Sequence, residues 1–117
     1  MKGREPQGLI DPADYEKVRD EIKARLEALG DEKGNPIGTV VHKPEEVYRK
    51  VNNVPPDLIV YFGDLNWRSA GSIGMGEVHT FENDTGPDDA NHAQHGMFIL
   101  NGPGVAPGRR EGVTLYD

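Results

Sequence analysis

Asp57-Leu58-Ile59-Val60-Tyr61-Phe62 is the stretch that decides the fold class. It is an unbroken apolar run after one acidic residue, entered through Pro55-Pro56 and left through Gly63. Its length, its β-branched and aromatic content and its boundary residues predict a strand buried on both faces. A second run of this kind, Met97-Phe98-Ile99-Leu100, is closed by Asn101-Gly102-Pro103-Gly104 and predicts a second buried strand.

Helical signals lie upstream. Over residues 11 to 30, Tyr15, Val18, Ile22, Leu26 and Leu29 recur at spacings of three and four, which puts them on one stripe of a helix. Asp11 is placed to cap it, Pro12 takes the first helical position, and Asp14 and Glu16 favour the positive end of the dipole. Gly30 is the C-cap candidate. The opposite face, with Glu16, Lys17, Asp20, Glu21, Lys23 and Glu27, reads as a solvated surface. Asp31 to Pro36 is a turn, and Ile37 to His42, with Thr39-Val40-Val41, reads as a short strand. Lys43 to Lys50 opens a short helix with Pro44 near its first position. Apolar strands separated by helices predict a layered α/β arrangement in a single domain over residues 1 to 117. No internal repeat is visible.

Composition narrows the function. The chain has 117 residues, enough for one small core. Its formal net charge of -7 repels polyanions, and its basic residues are scattered, so no nucleic-acid partner is expected. It has no cysteine and therefore no disulfide or thiolate metal site. No apolar run approaches the roughly 20 residues that span a bilayer, and Met1 to Pro6 lacks the apolar core of a signal peptide. A cytoplasmic location without membrane association is the expectation. Asn83-Asp84-Thr85 then reads as a chance sequon.

Of the four histidines, His42 is expected to be structural or exposed at a strand edge. His79, His92 and His95 share a loop-rich segment with Glu77, Glu82, Asp84, Asp88 and Asp89. Imidazole and carboxylate donors suit zinc or manganese, yet no spacing sets two imidazoles on one helix face. Two readings stay open: a local metal site, or an acidic, turn-rich surface loop. Gly71 to Gly76 lacks the strand and helix that a phosphate-cradling loop needs and reads as a turn. Ser69 and Ser72 have no nucleophile-elbow setting. Trp67-Arg68 reads as packing or as a stacking pair.

Residues 91 to 104, NHAQHGMFILNGPG, carry a further signal. They resemble a segment of the type I phosphodiesterase and nucleotide pyrophosphatase family, within the alkaline-phosphatase superfamily. His92 precedes Gly96 by four residues, and an apolar strand and Gly102-Pro103-Gly104 follow. KGREPQGLI, HKPEEVY, PDLIVYFGD and HTFENDTGPDDANH stand in the order of that family's C-terminal third, so the resemblance covers nearly the whole chain. It implies a partial alkaline-phosphatase-like layered sheet with flanking helices and long loops. It also implies a two-metal, usually zinc, centre at which a Thr or Ser nucleophile attacks a small phosphoester. His92 carries over as a ligand to one ion, and no role carries over onto His95.

The family's nucleophile and other ligands lie upstream of the matching segments. The expectation is therefore a C-terminal fragment, truncated before a helix that Asp117 would cap, inactive alone and prone to self-association or to pairing with a missing N-terminal segment. Two alternatives remain: a stand-alone binding or regulatory module, and a small metalloenzyme built on His79, His92 and His95.

Overall fold

A computed structural model gives the fold, and the structure describes residues 1 to 82 and 90 to 114. It is a small mixed α/β chain. Asp11 caps the first helix as expected: its side chain accepts from the Ala13 N–H at 3.2 Å, and a 3-10 turn over Pro12–Asp14 leads into α1, Tyr15–Glu27. The helix stops earlier than the sequence suggests. Ala28 is its last cap and Gly30 instead forms an isolated bridge with Pro36, because the Asp31 carboxylate organises the intervening turn. That carboxylate accepts from the backbone N–H groups of Lys33 and Asn35, at 2.9 and 2.8 Å.

β1 is Val40–His42, α2 is Pro44–Val47 and β2 is Ile59–Tyr61. The two strands pair antiparallel, with Val41 opposite Val60 and His42 opposite Ile59. His42 fulfils its structural expectation, packing edge-on to Tyr61 with centroids 6.1 Å apart. β2 is half-exposed along its length rather than buried on both faces, since a two-stranded sheet against one helix leaves its other face uncovered.

The second expected strand does not form. Met97, Phe98, Ile99 and Leu100 are irregular in backbone and are 89, 54, 86 and 68% exposed. An apolar run becomes a strand only when another strand satisfies its backbone, and no neighbour among the described residues does so.

The core is small and sits between α1 and β1. Val41 is 1% exposed, and Pro44 is fully buried beside it. Tyr15, Val18, Leu26 and Leu29 contribute half-buried faces, while Ile22 is exposed. A radius of gyration of 19.2 Å far exceeds the roughly 13 Å of a compact chain this long, so much of the polypeptide lies off this core.

Charge pairing joins elements that the sequence pattern leaves unconnected. The polar face of α1 is a docking surface for β1 and α2. Lys43 pairs with Glu16 at 2.9 Å and with Asp20 at 2.7 Å, and Lys23 pairs with Glu46 at 3.1 Å. Glu27 accepts the Val41 N–H at 3.3 Å. Arg19, buried, donates to Glu16 and to Glu45 and stacks 5.1 Å from the Tyr15 ring centre. Buried in this way, a guanidinium needs such partners to offset its desolvation.

A second tie fixes the amino-terminal loop. Arg4 makes a two-pronged contact to Asp57 at 2.5 and 2.7 Å, and the Tyr15 hydroxyl donates to the same carboxylate. The Arg4 contact, followed by the Tyr15 bond, holds the Asp57 carboxyl well below the usual carboxylate range. Lys43 and Arg19 hold Glu16 low, and Arg19 holds Glu45 low. A carboxyl whose folded pKa is depressed contributes stability above its unfolded value, and that contribution is lost as pH falls toward the folded value. Stability is therefore expected to hold from neutrality down to about pH 4 and to decline below it. Asp57→Asn should flatten that acid limb, read as urea midpoints at pH 7 and pH 3; an unchanged limb would mean that the tie contributes nothing to stability.

Candidate functional site

The C-terminal end of β2 runs into a tight turn. Gly63, Asp64 and Leu65 have φ of 53, 53 and 63°, three left-handed residues in succession. Gly63 is buried, and its carbonyl accepts from the Asn66 N–H and from the Asn66 side-chain amide, both at 3.0 Å. Left-handed backbone is costly for residues bearing a Cβ, so this turn is held by its surroundings. It swings Trp67 back over the end of the sheet.

His79 completes that corner. Its Nε2 lies 2.8 Å from the Gly30 carbonyl, and its ring meets Trp67 edge-on with centroids 5.6 Å apart. The N–H donated there makes His79 a fastening for the 68–78 loop. Beneath the loop is a cavity of about 530 Å³, with Leu26, Leu29, Ile37, Phe62 and Trp67 among its apolar walls and Arg68, His79 and Thr80 at its polar margin.

His92 and His95 are exposed. The segment that carries His92 is fastened to the same turn, because the Asn91 side-chain amide donates to the Leu65 carbonyl at 2.7 Å. Asp84, Asp88 and Asp89, and the Asn83 to Thr85 sequon, lie outside the described residues. Among the described residues, no three histidine, aspartate or glutamate side chains come close enough to share one metal ion. His79, His92 and His95 are thus not brought together as ligands. A catalytic zinc takes typically about three protein ligands, and the described residues do not make up such a set. Glu77 and Glu82 are exposed and join no such group. The Gly71 to Gly76 stretch is an irregular loop, as its sequence suggests, with φ of 82 and 77° at Gly74 and Gly76.

Two features escape the sequence pattern. The cavity is assembled from four separate segments, which no local motif announces. The Asn91 tether depends on a turn geometry visible only in three dimensions. No helix among the described residues is long and apolar enough to cross a membrane. Compared with protein-family models, curated proteins and solved structures, the chain matches none of them.

Proposed function

We propose that this chain is the C-terminal part of a metal-dependent phosphodiesterase or nucleotide pyrophosphatase-like hydrolase acting on a small phosphoester. His92 is its contribution to a two-ion centre, zinc in the family that residues 91 to 104 resemble. The nucleophile and the remaining ligands come from another polypeptide segment, and this chain is inactive without it. β1 and β2 then belong to a larger layered sheet of the alkaline-phosphatase type.

The observation that carries this reading is the exposed strip from His92 to Gly104. An imidazole stands in solvent a few residues before four large apolar side chains that are more than half exposed. Contiguous apolar surface of that kind marks an interaction site. An added strand would cover the apolar run and bring further donors to His92. When bound, the ions stabilise charge on the attacking and leaving oxygens; His92 serves to hold one of them.

The test combines metal analysis with hydrolysis of bis(p-nitrophenyl) phosphate. The isolated chain is expected to hold no stoichiometric zinc and to show no activity. Mixed or co-expressed with an upstream polypeptide that supplies a Thr or Ser nucleophile and acidic ligands, it is expected to gain both. His92→Ala should cut metal occupancy and turnover together, by a factor of about 100 or more for a lost ligand, on the order of 3 kcal/mol. Tight stoichiometric zinc with hydrolysis by the isolated chain would refute the proposal, as would a reconstituted activity indifferent to His92→Ala.

A further inference from the structure

We infer that Asn101 is a site of spontaneous modification, at which the Gly102 nitrogen displaces the side-chain amide and leaves aspartate or isoaspartate at the end of the exposed apolar strip. The chemistry rests on Asn101 and its surroundings alone. Its consequence for assembly rests on that strip being an interface.

Among the described residues, the other asparagines are each held back. Asn35 precedes Pro36, which has no N–H to become a nucleophile, and its amide donates to Asp31 at 3.0 Å. The Asn66 amide donates to the Gly63 carbonyl at 3.0 Å, and the Asn91 amide to the Leu65 carbonyl at 2.7 Å. Asn52 and Asn53 are exposed, but the residues after them, Asn53 and Val54, carry a Cβ that crowds ring closure.

Asn101 has none of these restraints. It and Gly102 are exposed, and their backbone is irregular. Neither the Asn101 side chain nor the Gly102 N–H has a hydrogen-bond partner among the described residues. The turn that follows engages only the other end of Gly102, whose carbonyl accepts from the Val105 N–H at 3.2 Å. A strand ladder over residues 97 to 100 would tie this backbone down. Without one, the Gly102 nitrogen is free to swing onto the Asn101 Cγ, and glycine reaches that geometry at least cost.

Hydroxide removes the Gly102 N–H proton. The nitrogen bonds to Cγ, the Cγ–Nδ2 bond breaks, and ammonia leaves with a proton from solvent. Water then opens the succinimide ring. Addition at the former side-chain carbonyl gives aspartate; addition at the main-chain carbonyl gives isoaspartate, whose main chain runs one methylene longer. One water is consumed, one ammonia is released, and a neutral amide becomes a carboxylate. That carboxylate stands beside Leu100, so covering the strip then buries charge. A chain that pairs early is shielded by its partner, whereas an unpaired chain loses the ability to pair as it ages.

The full chain is incubated free of metal at pH 8 and at pH 6, and its peptides are followed by mass spectrometry, with isoaspartate identified by methyltransferase labelling. Position 101 is expected to convert first, to both products, with ammonia released in step and conversion faster at the higher pH. The folded chain should convert it as fast as the chain in urea. Gly102→Ala is accommodated, because the nearest non-neighbouring atom to its Cβ is Val105 Cγ2 at 4.0 Å, and it should slow conversion about tenfold or more. In sedimentation, the aged chain and Asn101→Asp should associate about tenfold more weakly than fresh chain, and Asn101→Gln as fresh chain does.

Conversion of Asn52 or Asn53 ahead of Asn101 overturns the inference. So does a folded chain that protects Asn101 relative to urea, or conversion that Gly102→Ala leaves unchanged. Fresh and aged chains that sediment alike overturn the consequence for assembly and leave the chemistry standing. Neither metal nor hydrolysis enters these measurements, so their failure is separable from failure of the hydrolase reading.

Discussion

Ile99→Asp combined with Leu100→Asp is expected to abolish the self-association at micromolar concentration that we propose for the exposed strip, leaving a monomer. Both side chains are largely in solvent, at 86 and 68% exposure, so the substitutions break no packing within the described fold. Fully covering an isoleucine or a leucine contributes about 1.5–3 kcal/mol each. Losing both contributions, and burying carboxylates in their place, should weaken association by at least about 100-fold. Sedimentation velocity reads the outcome directly, and thermal melts of both proteins should coincide. If wild type and variant sediment alike as monomers, the strip does not mediate self-association, and its role as an interface rests on reconstitution with the upstream polypeptide. The same substitutions should abolish reconstitution with an upstream polypeptide while leaving the cavity at Trp67 intact.

The contrast between this strip and the buried strand its composition predicts shows what a sequence can convey. Local signals are legible where the chain itself satisfies them. The Asp11 cap, the start of α1, the Asp31 turn and Pro44 at the head of α2 all follow from short-range chemistry. Val40 to His42 is a strand because Ile59 to Tyr61 lies within reach to pair with it. Met97 to Leu100 has a similarly apolar composition but no partner among the described residues, and apolar content alone cannot provide one.

The charged face of α1 shows the converse. Periodicity assigns it to solvent, but Arg19 and Lys43 draw it into contact with β1 and α2. Ion pairs between segments 26 or 27 residues apart leave no periodic trace. The candidate site is legible in part for a related reason. Histidines can be counted in a sequence, whereas the fastening of His79 to Gly30 and of Asn91 to Leu65 depends on how the chain doubles back.

That doubling back depends on Gly63, and Gly63→Ala is expected to destabilise the fold by about 3 kcal/mol. Two costs combine. At φ of 53° a Cβ is strained, by about 1–2 kcal/mol. The added methyl would also lie 2.6 Å from Trp67 Cδ1 and 2.9 Å from the Ile37 carbonyl oxygen, so the indole or the approach to β1 must move. Either movement opens the cavity wall. Against a total stability of roughly 5–15 kcal/mol for a small domain, such a loss is large, and this core is slight. Asp64→Gly provides the opposite test within the same turn. It relieves a left-handed aspartate at φ of 53° and should raise stability by up to about 1 kcal/mol. Urea midpoints read both variants, and Trp67 emission reports whether the indole has been displaced. Equal midpoints for Gly63→Ala and wild type would mean that the turn does not hold Trp67 against Ile37, and that the cavity wall stands without it.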